Sequence, residues 1–231
     1  MHKDRGRVIL NLGGIANVTV LPAAAPSSTV RGFDTGPGNV LLDEFVRVTG
    51  LSQLGYDEGG RLAAAGQVQP DLLVELLADP FVRRRPPKST GRELFGPAFV
   101  EAFRGRLRAA SVSDLDGLAT LTAFTIGAVV QNLRDFVFPQ IPVHEIVVTG
   151  GGARNAFLMR RLAEALPECT VASSDDIGFP GRALEAAAFA WLAYLTATGQ
   201  PGNLPAVTGA SGPRILGCIV PGRQFRGLAG F

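Results

Sequence analysis

The sequence predicts an α/β fold whose sheet starts antiparallel and continues parallel. Three observations predict it. Two short apolar runs, 8–11 and 15–21, flank Gly13-Gly14 in the manner of a hairpin. A β-branched run, Ile146-Val147-Val148, leads through Gly150-Gly151-Gly152 into a helical pattern. Along the chain the order is three strands, helices, strand, helix, strand, helix, which is antiparallel pairing first and parallel βαβ units later.

In the first two strands, Val18 and Val20 alternate with Thr19, the two-residue period of a half-buried strand. Residues 22–29, Pro-Ala-Ala-Ala-Pro-Ser-Ser-Thr, form a surface loop. A third strand is expected over 30–33, ending in the turn Asp34-Thr35-Gly36-Pro37-Gly38-Asn39, with Asn39 as cap of the next helix. In that helix Val40, Leu41, Phe45 and Val48 are apolar. Short helices are expected at 71–77 and 99–109, then a long one capped by Ser113 or Asp114 and running through Phe138 to Pro139. After the glycine turn, Leu158, Leu162, Ala165 and Leu166 share one helical stripe. A short strand at 170–172, an apolar helix at 183–198 and a last strand at 215–220 complete the chain, whose tail from 199 is rich in Gly and Pro.

Composition narrows the function classes. The chain has 231 residues, 46% of them hydrophobic, enough for a sizeable core. A net charge of +2, with acids and bases mixed, gives no electrostatic case for nucleic acid or membrane. No secretory segment and no apolar run of about 18 residues is present. Cys169 and Cys218 stand far apart without partner histidines, which suggests a reducing compartment and no disulfide framework. A soluble cytoplasmic protein is expected.

Four constellations could carry chemistry. The turn at 150–152 brings bare backbone against a ligand at a helix start, or serves as a packing turn; Asn155 stands where a dinucleotide fingerprint needs its third glycine. The Asp34–Asn39 turn offers amides to an anion and Asp34 to a cation or a water, or is an acid-capped turn. Arg83-Arg84-Arg85-Pro86-Pro87 leads into Lys88-Ser89-Thr90-Gly91-Arg92, a cluster of cations and hydroxyls or a solvated basic loop; it is not a P-loop. Glu185, the one charge from residue 183 to 198, either answers the helix dipole or, half-desolvated among Leu184, Ala186, Ala188, Phe189 and Leu192, moves protons.

Six strings resemble one family: L-N-L-G-G-I-A-N-V-T (10–19), F-D-T-G-P-G-N (33–39), P-K-S-T-G-R-E-L-F (87–95), G-G-G-A-R-N (150–155), E-A-A-A-F-A-W-L-A (185–193) and G-N-L-P-A-V-T-G-A (202–210). Their order resembles anhydro-N-acetylmuramic acid kinase, from about residue 2 to 221. That resemblance implies a ribonuclease-H-like (actin-like ATPase) domain with extra helices, of the kind found twice in the actin, sugar kinase and Hsp70 superfamily. It implies a single domain over 1–231 with a helical insertion at 50–140. It further implies ATP and Mg²⁺ as cofactors and an amino-sugar substrate, whose anhydro ring is opened by water and phosphorylated. Asp34, Gly36, Gly38 and Asn39 would line the phosphates, with Asp34 toward the metal. Gly150, Gly151, Gly152 and Asn155 would border the nucleotide, Glu185 the sugar and attacking water, and Lys88, Ser89, Thr90 and Arg92 the sugar.

The family also has an N-terminal domain, with a G-T-S-x-D-G type phosphate loop and a D-F-R aspartate, and neither string occurs in this sequence. The resemblance therefore implies the second half of a two-domain kinase, with Met1 as an internal start or the cut of a fragment, and inactive by itself. The alternative is a non-catalytic nucleotide-binding remnant or a split subunit. The implied partners are the missing domain, recaptured through an exposed apolar face, or a second copy in a homodimer.

Overall fold

The structure is a computed structural model that describes residues 2–220 together with 222 and 223; Met1 and the end of the Gly- and Pro-rich tail lie outside the described residues. Its centre is a five-stranded sheet in the order β3-β2-β1-β4-β5. β1 (Arg7–Leu12), β2 (Ile15–Leu21) and β3 (Arg31–Pro37) form an antiparallel meander. β4 (Glu145–Thr149) and β5 (Thr170–Ser173) add parallel to β1. This is the mixed sheet the sequence order predicts.

Between β3 and β4 lie α1 (Asn39–Thr49), α2 (Arg61–Ala65), α3 (Pro70–Leu77), α4 (Pro80–Arg83), α5 (Pro97–Ala109) and α6 (Asp114–Phe136). After β4 come α7 (Ala156–Ala165), α8 (Gly181–Ala197) and α9 (Pro205–Thr208). Strand alternation sorts the sheet: Val8, Leu10 and Leu12 of β1 and Ala16, Val18 and Val20 of β2 are buried on one face. Leu41 and Phe45 of α1 and Phe124, Val129 and Leu133 of α6 belong to the same apolar core. Each Leu or Phe fully buried there contributes roughly 1.5–3 kcal/mol. The helices between 50 and 140 thus share one core with the sheet. Within them Phe95 sits edge-on to Phe81, Phe99 and Phe124 at 5.8, 5.7 and 6.3 Å.

Three expectations change. β3 does not stop at Phe33 but runs through Pro37, because a bulge opposite Ala16 and Asn17 lets the pairing continue. The extra residue, Thr35, is buried and donates its hydroxyl to Ala16 O at 3.1 Å. Asn39 is the first residue of α1, not its cap; Gly38 holds the cap position. Residues 215–220 form no strand, being tied to the end of α8 through the Leu216 carbonyl, which accepts from Thr196.

Helix α6 clamps the junction between β3 and α1. Thr125 donates to Gly38 O at 3.2 Å, and buried Asn132 donates its amide to Thr35 O at 3.2 Å and Val82 O at 3.1 Å. Gly38 has no room for a side chain: a Cβ there would lie 2.4 Å from Gly13 O. Gly38→Ala is expected to cost at least about 1–3 kcal/mol, the usual penalty of overpacking; a urea titration showing unchanged stability would contradict this packing.

Candidate nucleotide cleft

The carboxyl ends of β1, β3 and β4 open on one edge of the sheet, where open α/β sheets place their ligands. Two connected hollows lie there. One, of about 550 Å³, reaches toward Gly59, Arg154 and Asn155. The other, of about 470 Å³, reaches toward Gly13, Gly14 and Arg92. Asn39, Asp43, Gly55 and Gly151 line both.

The expected phosphate turn is not what the structure presents. Gly36 and Gly38 are buried. The amides of Gly38, Asn39 and Val40 are consumed, donating to Gly14 O, Gly13 O and Gly14 O at 2.9, 2.8 and 3.0 Å. Gly36, at φ +153°, packs where a Cβ would lie 3.2 Å from Ala128 Cβ. These glycines serve packing and offer no amide to an anion.

The same bonds expose another turn. In a trans peptide the C=O and the following N–H point opposite ways. The Gly13 and Gly14 carbonyls point at α1, so the N–H groups of Gly14 and Ile15 point away from it. Gly14 is exposed on the cleft wall. A Cβ on Gly13 or Gly14 would stand 3.6 or 3.8 Å from its nearest neighbour, ordinary contact distances, and neither residue has a positive φ.

The glycine triplet divides the same way. Gly150 sits at φ +81° with a Cβ position 2.6 Å from Asn11 Oδ1, and a Cβ on Gly152 would lie 2.6 Å from Leu12 Cβ. Both are required by the fold. Gly151 is exposed, has no positive φ, and its Cβ would lie 3.7 Å from Asn39 Nδ2. Asn155 caps α7, its Oδ1 accepting from Leu158 N at 2.9 Å, and it packs against the Gly60 loop.

Asp43, absent from the sequence-level candidates, stands one helical turn beyond Asn39, on the same face of α1. The residue is open to the cleft, yet the cleft walls strip part of its carboxylate's hydration. That loss pushes its pKa up to about 6, against the pull of Arg92. Its four-residue spacing from Asn39 is the sequence signal that could have found it.

Asp34 and residues 88–90 come together on the other face of the sheet. Asp34 Oδ2 accepts from Ser89 Oγ at 2.9 Å and Thr90 N at 2.8 Å, and Asp34 N donates to Lys88 O at 3.1 Å. Among the described residues, Oδ1 accepts from no group. Cross-strand register sets Asp34 beside Asn17, Asn17 beside Asn11, and Asn11 beside Thr149. Asn17, Thr19, Asp34 and Ser89 line a hollow of about 490 Å³.

Lys88 is not the solvated cation its loop suggested. It is buried, donating Nζ to Phe81 O at 2.8 Å and Val82 O at 2.9 Å, with the Phe81 ring 4.7 Å away. Burial lowers its pKa to about 8, with Arg84 adding to the effect. It holds the loop against α4 and does not reach for substrate. Arg92 is exposed and lines the hollow with Gly13 and Gly14 instead of the one with Asp34. Glu185 is exposed on α8 and lines neither hollow of the cleft, so the half-desolvated setting expected for it is not found. Its apolar neighbours Leu184 and Phe189 are exposed as well.

The family model for anhydro-N-acetylmuramic acid kinase matches residues 1–222. The chain belongs to that kinase family. Anhydro-N-acetylmuramic acid kinase of Cupriavidus pinatubonensis is 47% identical over 217 residues, 93% of this chain and 56% of that protein. Its counterpart in Synechococcus elongatus is 47% identical over 220 residues, covering 94% and 57%. The one in Bacillus cereus is 40% identical over 220 residues, covering 94% and 56%. The chain thus spans little more than half the length of these family members. Among the described residues no helix is long and apolar enough to cross a membrane.

The raised pKa of Asp43 has a consequence for stability. Its folded value, about 6, exceeds the ordinary 3.8, so its favourable contribution is present below pH 3.8 and lost as pH rises through 6. Asp43→Asn removes the ionisation while keeping the shape. The variant is expected to gain stability over the parent as pH rises from 4 to above 6, read as a growing gap between urea midpoints. A gap that stays constant with pH would contradict the desolvation.

Proposed function

We propose that the chain forms one wall of the ATP site of a kinase acting on 1,6-anhydro-N-acetylmuramic acid in cell-wall recycling. The observation that carries the nucleotide reading is the set Gly13, Gly14 and Gly151. All three line the cleft, have room for a Cβ and need no positive φ, so nothing inside the chain explains glycine there. Close approach of a ligand to bare backbone does. The outward amides beyond Gly13 and Gly14, with Arg92 beside them, suit phosphates. The hollow beyond Gly151 suits the nucleoside.

ATP would supply the phosphoryl group, and Asp34, with Oδ1 free among the described residues, is the carboxylate of this chain that would hold an accompanying Mg²⁺, which would neutralise charge on the transferred group. Such an ion commonly takes one or two carboxylates besides phosphate oxygens. In the overall reaction water bonds to C1 of the sugar and the bond from C1 to O6 breaks, while the γ-phosphoryl passes from ATP to O6; ADP leaves and one proton is released, giving N-acetylmuramic acid 6-phosphate. Asp34, held through one oxygen by Ser89 and Thr90, keeps Oδ1 to accept from a water or a sugar hydroxyl. The amides of Asn11 and Asn17 beside it suit the polar groups of an amino sugar.

Phosphoryl transfer depends on positioning and charge stabilisation from both sides of the transferred group. One wall binds nucleotide weakly and does not catalyse. The missing contacts belong to the rest of a full-length kinase, which would also cover the exposed apolar residues of α8 and bring Glu185 to the sugar. Self-association through that face is the competing outcome. A non-catalytic nucleotide-binding remnant is the second reading, favoured by Glu185, which lies exposed on α8 and lines neither hollow of the cleft.

Gly151→Val should leave the chain folded, since space for Cβ exists, and weaken ATP binding by about tenfold or more, equivalent to ~1.4 kcal/mol. Equal ATP affinity in calorimetry would return Gly151 to a plain turn. For catalysis, the chain is incubated with Mg-ATP and the anhydro-sugar, alone and with the N-terminal domain of a relative. Phosphorylated sugar is expected only on mixing; product from the chain alone would refute the one-wall reading. In the mixed system Glu185→Gln should lower turnover by roughly two to four decades, the usual worth of a general base. Unaltered turnover there would leave Glu185 as an exposed residue of α8 beyond its first turn, with no part in catalysis.

A further inference from the structure

We propose that the Asp43 carboxylate grips the ribose hydroxyls of the bound nucleotide and so selects ribonucleotides over deoxyribonucleotides. The proposal rests on the ATP reading and assigns one of its contacts. Placement comes first. The phosphate end of the cleft is marked by Gly13, Gly14 and Arg92, and the far end by Gly59, Arg154 and Asn155. A ribose joins base to phosphates, so it must stand where the two hollows merge. Asp43 is the one carboxylate that lines both hollows, among the described residues.

Chemistry comes second. An ionised carboxylate only accepts hydrogen bonds, through two oxygens side by side. The 2′ and 3′ hydroxyls of a ribose are two adjacent donors, and a single acid on that pair is an established mode of nucleotide recognition. A deoxyribose offers one donor fewer and leaves a carboxylate oxygen without its partner.

The third argument is that no internal role claims the side chain. Neighbouring acids are occupied: Glu44 is paired with Arg47, and Asp57 accepts from Leu62 N and Ala63 N at 2.9 and 3.0 Å to cap α2. Among the described residues Asp43 has no hydrogen-bond or ion-pair partner within bonding distance. Its ionised form is held at a cost by the cleft, as the upward displacement of its pKa records. Arg92 nearby offsets repulsion between this carboxylate and the phosphates.

The test measures dissociation constants of ATP, 2′-deoxy-ATP and 3′-deoxy-ATP for the chain and for Asp43→Ala and Asp43→Asn, with circular dichroism to show that each variant folds. The parent is expected to bind ATP roughly tenfold or more tighter than either deoxy analogue, the worth of one hydrogen bond to a charged group. In Asp43→Ala the three constants should converge, with Asp43→Asn between. A parent that binds ATP and the deoxy analogues equally overturns the proposal and leaves the ATP reading standing. So does a variant that loses all three nucleotides by one factor, because the carboxylate then acts elsewhere than on the ribose. A parent that binds none of them overturns the ATP reading, and this assignment falls with it.

Discussion

The cleft depends on one set of hydrogen bonds, between the first amides of α1 and the carbonyls of the Gly13-Gly14 turn. A helix start leaves about four N–H groups without partners, which makes it a ready anion site. Here the amides of Gly38, Asn39 and Val40 are satisfied by the hairpin, and the Asn39 side chain adds bonds to Leu12 O at 2.9 Å and Gly13 O at 3.1 Å. The end of α1 is therefore closed to anions. Peptide geometry carries donor capacity across the turn, since carbonyls pulled toward the helix leave the next amides facing outward. Gly38 makes this approach feasible, and α6 fixes it from behind through Thr125 and Asn132.

Much of this architecture was legible in the sequence, and the reasons are local. Alternation in Val18-Thr19-Val20, the β-branched run before Gly150 and the stripe through Leu158 and Leu162 report burial patterns that the structure retains. What stayed illegible is tertiary. Asp34-Thr35-Gly36-Pro37-Gly38-Asn39 has the composition of an open turn, yet bulge pairing with β2 and contact with α6 make Thr35, Gly36 and Pro37 buried strand. Lys88 reads as part of a basic loop, yet two carbonyls and a phenylalanine ring draw it inside. Asp43 is an ordinary helical acid until Gly151 and Gly55 are seen to flank it.

Glycine shows the limit most clearly. Gly38, Gly150 and Gly151 look alike in sequence. One is required by a backbone approach, one by a left-handed conformation and a crowded neighbourhood, and the third by neither. Only coordinates separate a glycine that the fold needs from one that a ligand needs. That separation gives the glycine-rich edge a direction, which the proposed reading fills with phosphates at the hairpin and the nucleoside beyond Gly151.

Helix α8 extends the argument beyond the cleft. Its sequence is strongly apolar, yet Phe189 is 72% and Trp191 60% exposed, and Leu195 alone is buried among its described large hydrophobic side chains. A helix that apolar gains stability mainly by burying a face, since propensity contributes little. On the sheet, the face carrying Val8, Leu10 and Leu12 is already occupied by α1 and α6, so the core offers α8 no place there. The other face carries Asn11, Asn17 and Asp34, polar groups that suit a ligand better than an apolar helix. The two features constrain each other: a polar face on that side of the sheet leaves α8 without a core of its own and its aromatics exposed.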